Sequence, residues 1–177
     1  PLVLGIGGNN TAEVVKQIKE TNLSDFDAVL SVSPYYNKPN QEGLYQHYKA
    51  LAETGEKIII YNVPGRTGQN VEASTTLRLA NEFPNLFMIK EAAPNMLQYF
   101  DILRQKPEHF SLMSGDDEYT LPVTLAGGDG VISVIGQAYP KEFSTMVKLA
   151  RKREVDEAYK IHNSLVEITR LIFAEGN

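Results

Sequence analysis

The run Ile58–Ile60 places apolar, β-branched side chains at three successive positions, so both faces of the strand that it predicts are apolar. Strands of this kind occur in parallel sheets whose two faces are covered by helices. Similar short runs alternate with longer segments of helical period, and this alternation predicts a parallel sheet with right-handed crossovers. The predicted strands are Leu2–Gly5, Ala28–Val32, Lys57–Val63, Phe87–Lys90, Phe110–Ser114 and Gly130–Ile135. The predicted helices are Thr11–Thr21, Gln41–Thr54, Glu72–Asn81, Met96–Arg104, Tyr119–Ala126, Lys141–Lys152 and Val155–Phe173.

Residues at the helix ends support these boundaries. The pairs Asn10 with Glu13 and Asn95 with Gln98 have capping-box spacing, with Asn in place of the usual Ser or Thr. Pro140 fits the first turn of the helix that follows the last strand.

Two closures of such a sheet are open at this point, a doubly wound sheet and a (β/α)8 barrel. The barrel needs eight strands and commonly about 250 residues, whereas this chain has 177 residues and six predicted strands. The chain begins inside a strand and stops just after an apolar helix. We therefore expect a partial TIM barrel, strands three to eight with their helices, as a single domain over 1–177 in which 155–177 start a C-terminal helical extension.

Composition removes several classes of function. The net charge is −5, which disfavours general nucleic-acid binding, and no run approaches the roughly 18 apolar residues of a membrane span. The absence of cysteine excludes disulfides, thiolate metal sites and cysteine nucleophiles. Only three histidines occur, far apart in sequence, so no metal site is predicted. Without a signal peptide in the sequence, a cytoplasmic location is expected.

Catalytic groups of parallel sheets gather at the carboxyl ends of strands, and the third and fourth predicted strands end in reactive side chains. Tyr61 supplies a phenol that can donate or accept a proton, and Arg66 follows in a Pro/Gly turn, where a guanidinium can grip a carboxylate. Lys90 ends an apolar run, and desolvation favours the neutral amine that forms imines. Each residue also has a plainer interpretation, as an edge tyrosine, a solvated arginine or a lysine that marks where the strand meets water.

Three further strand ends carry weaker signals. Tyr35 and Tyr36, bracketed by prolines, indicate a rigid loop that presents aromatic rings or simply packs. Asp116 and Asp117 could hold a metal or act as acid and base, but a turn and helix-cap role is preferred, since neighbouring strand residues point to opposite faces. The segment Gly5–Asn10 resembles a phosphate loop without the spacing of either common nucleotide motif.

The order of these motifs resembles the dihydrodipicolinate synthase family over essentially the whole chain. The matching segments are Pro34–Pro39, Gln41–Tyr45, Tyr61–Gly68, Ile89–Ala92, Ser114–Asp117 and Gly130–Val134. The resemblance implies a TIM barrel that condenses pyruvate with aspartate semialdehyde in lysine biosynthesis. It also implies a homo-oligomer, a dimer or a dimer of dimers (a homotetramer).

Site roles follow from the resemblance, residue by residue. Lys90 matches the lysine that forms the Schiff base with pyruvate, and Tyr61 matches the tyrosine that shuttles protons. Arg66 matches the arginine that binds the carboxylate of the aldehyde, and Tyr36 matches a relay tyrosine that reaches the neighbouring subunit's site. The backbone carbonyl of Ile132 matches one that lines the pyruvate pocket, and the substrate-binding set also includes Gly115. No cofactor is implied beyond the pyruvate imine itself.

Two parts of the family pattern concern segments upstream of Pro1. The family's relay threonine belongs to a Gly-Thr-Thr-Gly-Glu loop, which we expect to precede this chain. Gly7, Asn9, Glu13 and Tyr35 match contributors to a lysine feedback site at a dimer interface, whose other contributors we also expect upstream.

Three alternatives remain to be distinguished. N-acetylneuraminate lyase, or another pyruvate-dependent aldolase of the superfamily, shares the tyrosine and the lysine, but Arg66 favours a carboxylated aldehyde. A non-catalytic barrel would bind a small acid or a partner, although every matched motif is intact. A nucleotide-binding doubly wound domain would bind phosphate at Gly5–Asn10.

Overall fold

The computed structural model describes residues 1–176, and its helices and strands lie close to the predicted segments. The strands are β1 (Val3–Gly5), β2 (Ala28–Val32), β3 (Ile58–Asn62), β4 (Leu86–Glu91), β5 (Ser111–Ser114) and β6 (Gly130–Val131). The helices are α1 (Thr11–Glu20), α2 (Gln41–Ala52), α3 (Pro64–Thr67), α4 (Ala73–Glu82), α5 (Met96–Gln105), α6 (Thr120–Leu125), α7 (Pro140–Arg151) and α8 (Val155–Phe173), with a 3-10 turn at Ile135–Gln137.

The strand order in the sheet is β1-β2-β3-β4-β5-β6, the same as the order in the chain. The pairs β1–β2, β2–β3, β3–β4 and β5–β6 are parallel. A doubly wound sheet reverses its strand order at a switch point, and no reversal occurs among these strands. The order is that of a (β/α)8 barrel, so the predicted partial TIM barrel is confirmed and the doubly wound alternative was wrong.

The chain divides into two compact units, Pro1–Leu112 and the segment from Met113 onward. In the first unit, β3 and β4 are apolar on both faces, and Ile58, Ile60 and Ile89 are fully buried. The helix α2 buries Leu44, Tyr48 and Leu51 at helical spacing. Burial of each such side chain contributes about 1.5–3 kcal/mol, so the first unit has a core that holds the strand ends in place.

The second unit has its own apolar cluster, formed largely by α7 and α8. Its buried members are Leu121, Ile135, Phe143, Met146, Ala150, Ala158 and Leu165. Among residues 1–176, no helix combines the length and the hydropathy needed to cross a membrane.

Both asparagines that were predicted to cap helices accept backbone hydrogen bonds from the helices that they begin. The side-chain oxygen of Asn10 accepts from the backbone N–H of Ala12, and that of Asn95 accepts from the backbone N–H of Gln98. Pro140 opens α7 as predicted. The Gln98 side chain does not complete a capping box, because its amide oxygen accepts from Nδ2 of Asn70 at 2.8 Å and the N–H of Asn95 donates to the carbonyl of Ala93. Its amide nitrogen donates to the buried carboxylate of Glu91 at 2.9 Å.

Two local predictions were also imprecise. The Pro/Gly turn after β3 is a single helical turn, α3, which Gly68 ends in the left-handed region at φ +75°. The strand β6 stops at Val131, short of the predicted Ile135. The N–H of Ile132 still donates to the carbonyl of Ser114 in β5, but farther along the backbone N–H groups of Val134 and Ile135 donate to the side chain of Asp117 instead of to a neighbouring strand.

Candidate active site

Lys90 and Tyr61 are opposite each other in the parallel ladder of β3 and β4. Lys90 is buried, with 9% of its surface exposed, and its Nζ lies 4.1 Å from the centroid of the Tyr61 ring. The apolar residues before Lys90 pack its strand into the core, Ile89 being fully buried. The structure thus places the lysine nitrogen directly against the face of a phenol ring.

The phenol of Tyr61 is half-buried, and its protonation is set by two opposing effects. Burial raises the pKa of Tyr61, and the positive charge of Arg66 lowers it. Burial is the larger effect, so the phenol keeps its proton at neutral pH and can donate it. The backbone carbonyl of Tyr61 accepts from the N–H of Ser33 at 3.1 Å, which ties the end of β3 to the segment after β2.

Arg66 lies in the single turn α3, directly after β3, and is exposed. The turn is closed by a hydrogen bond from the N–H of Gly68 to the carbonyl of Pro64 at 2.9 Å. Because Arg66 is close enough to affect the pKa of Tyr61, its guanidinium places a positive charge in the neighbourhood of the phenol. A guanidinium can hold a carboxylate through two parallel hydrogen bonds.

Tyr36 is held in a strained backbone conformation and exposes its ring. Its φ is +72°, a region that non-glycine residues rarely enter, and 88% of its surface is exposed. The N–H of Asn37 donates to the carbonyl of Tyr35 at 2.9 Å, closing a tight turn around the strained residue. Strain of this kind costs of order 1–3 kcal/mol and clusters at functional sites, so the loop presents the Tyr36 phenol outward at a cost in stability.

Gly115 and Ile132 lie in the second unit, at the ends of β5 and β6. The N–H of Ile132 donates to the carbonyl of Ser114 at 2.9 Å. One carboxylate oxygen of Asp117 accepts from the N–H groups of Val134 and Ile135 at 3.1 and 2.9 Å. The carboxylate thus bonds to backbone 17 and 18 positions away, not to the local turn or helix end that was predicted for it, and it fixes the backbone that follows Ile132.

Asp116, its neighbour, caps a different segment. Its Oδ1 accepts from the N–H of Glu118 at 3.0 Å, and from that of Tyr119 at 3.4 Å. The two aspartates therefore serve two separate pieces of backbone. Within residues 1–176, no group of three or more His, Asp or Glu side chains is arranged to hold a metal ion.

The model of the Dihydrodipicolinate synthetase family matches residues 1–177. The chain belongs to this family. The 4-hydroxy-tetrahydrodipicolinate synthase of Flavobacterium psychrophilum is 57% identical over 178 residues, covering 100% of this chain and 61% of that protein. The dihydrodipicolinate synthase of Aquifex aeolicus superposes with a TM-score of 0.95 at 39% identity, over 99% of this chain and 60% of that one. The Acinetobacter baumannii enzyme, solved with pyruvate, gives 0.94 at 39% identity, over 100% of this chain and 61% of that one.

The chain thus spans about 60% of the length of these dihydrodipicolinate synthases. Within the first unit, β3 and β4 bring Tyr61 and Lys90 into contact, and α3 follows with Arg66. The substrate roles of these residues, and those of Tyr36, Gly115 and Ile132, remain predictions.

Residues that match the family's lysine feedback site lie on or beside two loops, which follow β1 and β2. The side-chain amide of Asn37 donates to the carbonyl of Asn9 at 3.0 Å and so ties the loops together. Gly7 has no room for a side chain, because a Cβ there would lie 2.7 Å from Cγ1 of Val32. Glu13 and Tyr35 are exposed. Lysine binding at these residues stays a prediction.

Sequence reasoning gave no role to Glu91, although it follows the candidate nucleophile. Its carboxylate is fully buried and accepts from the side chains of Asn62 and Gln98. The available signal was the position itself, since a residue next to Lys90 points to the opposite face of β4. A charged residue on the helix-covered face of a buried strand needs partners, and the sequence pattern did not identify them.

Proposed function

We propose that this protein forms a Schiff base between Lys90 and pyruvate and condenses the resulting enamine with L-aspartate 4-semialdehyde, giving 4-hydroxy-tetrahydrodipicolinate for lysine biosynthesis. The observation that carries the proposal is the contact between the buried Lys90 amine and the Tyr61 ring, at 4.1 Å from the ring centroid. The names of the relatives support the choice of reaction.

In the first half of the proposed reaction, the Lys90 amine attacks the keto carbon of pyruvate and the oxygen leaves as water. Each step transfers a proton, and the Tyr61 phenol, which burial keeps protonated, supplies it. The iminium then acts as an electron sink, so that the pyruvate methyl group loses a proton to the Tyr61 phenolate, which restores the phenol, and an enamine forms.

In the second half, the enamine carbon bonds to the aldehyde carbon of aspartate semialdehyde, and the aldehyde oxygen takes up a proton. Arg66 holds the carboxylate of the aldehyde through two parallel hydrogen bonds. The substrate's own amine then attacks the iminium carbon, which closes the ring and releases Lys90. The covalent electron sink is the Lys90 imine, so the scheme uses no separate cofactor.

We further infer that the protein works as a homo-oligomer in which Tyr36 joins the proton relay of a neighbouring subunit. The exposure of its ring, 88%, and its strained φ of +72° support this role. A phenol presented outward from a rigid turn can reach a site that its own chain does not line.

The test is reductive trapping. The chain is incubated with pyruvate and borohydride, its intact mass is measured, and the modified peptide is mapped. We expect one adduct, on Lys90, and none in a Lys90→Arg variant; Lys57→Arg, at an exposed lysine, serves as the matched control and keeps the adduct. A folded protein that gives no adduct on Lys90 would rule out the Schiff-base mechanism.

A further inference from the structure

The ends of β3 and β4 form two register pairs on opposite faces of the sheet. Tyr61 pairs with Lys90, and the next pair joins Asn62 to Glu91. Because successive strand residues point to opposite faces, one face carries the candidate catalytic pair and the other carries a buried amide and a buried acid. If the end of β4 shifted relative to the end of β3, both register pairs would be displaced.

In the second pair, Asn62 is hydrogen-bonded to Glu91, and both carboxylate oxygens of Glu91 accept from further N–H groups as well. The Asn62 Nδ2 donates to both carboxylate oxygens of Glu91, at 2.9 and 3.0 Å. The backbone N–H of Ala93 donates to Oε1 at 2.7 Å, and the Gln98 Nε2 donates to Oε2 at 2.9 Å. Glu91 is the acceptor in each of these hydrogen bonds. Its carboxylate is therefore bonded to β3, to the segment after β4 and to α5 at the same time.

The partners of Glu91 are themselves fixed. The side-chain oxygen of Asn62 accepts from the N–H of Val71 at 3.0 Å, and Gln98 Nε2 also lies 3.2 Å from the carbonyl of Val71. The Asn70 side chain bridges the Asn62 amide nitrogen and the Gln98 amide, each at 2.8 Å. A 180° rotation of the Asn62 or Gln98 side-chain amide would exchange its nitrogen and oxygen. The amide would then lose its hydrogen bond to Glu91 and those to its other partners as well.

A buried carboxylate is a poor choice if stability alone is at stake, because a well-packed apolar residue at such a position is commonly as stable or more so. A fully connected polar network instead specifies one arrangement. The hydroxyl of Tyr99 adds a hydrogen bond to the backbone carbonyl of Glu91 at 2.5 Å. Glu91, the residue directly after Lys90, is thus hydrogen-bonded to α5 through both its side chain and its backbone.

We propose that Glu91 is a positioning residue for the Schiff-base lysine: by locking the end of β4 to Asn62 of β3, it fixes the Lys90 amine over the ring of Tyr61. The inference rests on the proposed function, since it assigns Glu91 a part in imine formation. Glu91 does not touch the substrate and acts only through the two strand ends.

The test replaces one acceptor oxygen by a donor. In Glu91→Gln the new NH2 group must face donors in either orientation, Asn62 and Ala93 on one side or Asn62 and Gln98 on the other. The rate of imine formation is measured by borohydride trapping over a range of pyruvate concentrations. We expect the rate at saturating pyruvate to fall roughly 10- to 100-fold, while the half-saturating pyruvate concentration changes by less than about twofold.

A matched control separates positioning from general destabilisation. Leu79→Ala opens a cavity under α4 at a fully buried position and leaves the Glu91 network intact. It should lower the melting temperature without slowing imine formation at a temperature where it stays folded. Equal slowing in both variants would overturn the proposal, as would a folded Glu91→Gln variant that reacts within about twofold of the parent rate.

Two further results also bear on the proposal: a Glu91→Gln variant that does not fold, and a parent protein that forms no adduct. If Glu91→Gln does not fold, Gln98→Met removes a single donor to the carboxylate, and an unchanged rate in that variant overturns the proposal. If the parent protein itself gives no Lys90 adduct, the proposed function fails and the positioning role fails with it. An adduct in the parent together with unchanged variants removes the positioning role alone.

Discussion

Tyr61 lies directly opposite Lys90 in the β3–β4 ladder, and its ring centroid is 4.1 Å from the lysine Nζ. The ring face and the hydroxyl of Tyr61 are separable by mutation. Tyr61→Phe keeps the aromatic face that the amine contacts and removes the proton donor.

We expect Tyr61→Phe to slow imine formation by about 100-fold or more, the usual contribution of a positioned proton donor. The half-saturating pyruvate concentration should change little, because the ring remains. Time-resolved borohydride trapping measures both quantities. Tyr45→Phe is the control and should react at the parent rate. It removes a hydroxyl of α2 that donates a hydrogen bond to Glu82 of α4. Parent-like trapping by Tyr61→Phe would show that another group moves the proton.

Arg66→Ala should affect the second substrate and leave the first alone. Loss of a guanidinium–carboxylate contact costs roughly 1.5–3 kcal/mol, so the half-saturating concentration of aspartate semialdehyde should rise about 10- to 100-fold. Pyruvate trapping on Lys90 should be unchanged. Unaltered use of the aldehyde would contradict the assignment of a carboxylated substrate and return attention to other pyruvate-dependent aldolases of the superfamily.

Tyr36 should show a conflict between stability and activity. Asn tolerates a positive φ better than Tyr does, so Tyr36→Asn should be at least as stable as the parent, with a gain of up to about 1 kcal/mol in the free energy of unfolding. The condensation rate should fall, because the relay phenol is gone. Tyr35→Asn, at a neighbouring exposed position outside the positive-φ region, should bring no such gain. Chemical denaturation and the condensation rate measure the two effects, and a Tyr36→Asn variant that is less stable than Tyr35→Asn would argue against strain.

Glu91 should make the stability of the first unit depend on pH. Burial raises the pKa of Glu91 from 4.5 to about 7, against the opposing hydrogen bonds from Asn62, Ala93 and Gln98. Between these values the folded state binds more protons than the unfolded state, so the stabilising contribution is complete below pH 4.5 and is lost as the pH rises to 7.

Urea denaturation at pH 4.5 and pH 7.5 measures this contribution, which is of order 3 kcal/mol. Other groups titrate in the same interval; burial lowers the pKa of His47 to about 4, which acts with the opposite sign. The comparison is therefore between the parent and Glu91→Gln, whose difference isolates the one carboxyl group. The parent should lose more stability than the variant on going to pH 7.5, and an equal loss would contradict the raised pKa.

Asp117→Ala should loosen the backbone after β6. The N–H groups of Val134 and Ile135 lose their common acceptor, and leaving the buried N–H of Ile135 unpaired costs about 1–3 kcal/mol. If the Ile132 carbonyl lines the pyruvate pocket, the half-saturating pyruvate concentration should rise as well. Asp116→Ala, which frees only the N–H groups of Glu118 and Tyr119, should leave pyruvate affinity near that of the parent. Equal affinities in the two variants would separate Asp117 from substrate binding.

The sequence was sufficient to predict most of the fold, because the local patterns and the tertiary structure agree. The run Ile58–Ile60 is buried on both faces, and Asn10 and Asn95 cap the helices that they were expected to begin. The strand order could not be read from the pattern, since a barrel and a doubly wound sheet share the same alternation of strands and helices. The choice between a barrel and a doubly wound sheet depends on which strands pair with each other.

The failures of prediction lie where a side chain has a distant partner. Gln98 has the spacing of a capping residue, yet its amide bonds to Glu91 and Val71 instead. Likewise, β6 ends early because Asp117, 17 positions before Val134, takes the backbone N–H groups that a strand would use. Such contacts leave no periodic trace in the sequence, and they concentrate beside the strand ends where the candidate catalytic residues lie.

The consecutive order of the strands also bears on how the site is made during synthesis. Every defined strand pair joins residues no more than 29 positions apart in the chain. Loop closure over such short separations costs little entropy, and low contact order favours fast folding. The ladder that brings Tyr61 to Lys90 therefore needs no distant segment, and this pair of candidate catalytic residues can come together while the rest of the chain is still on the ribosome.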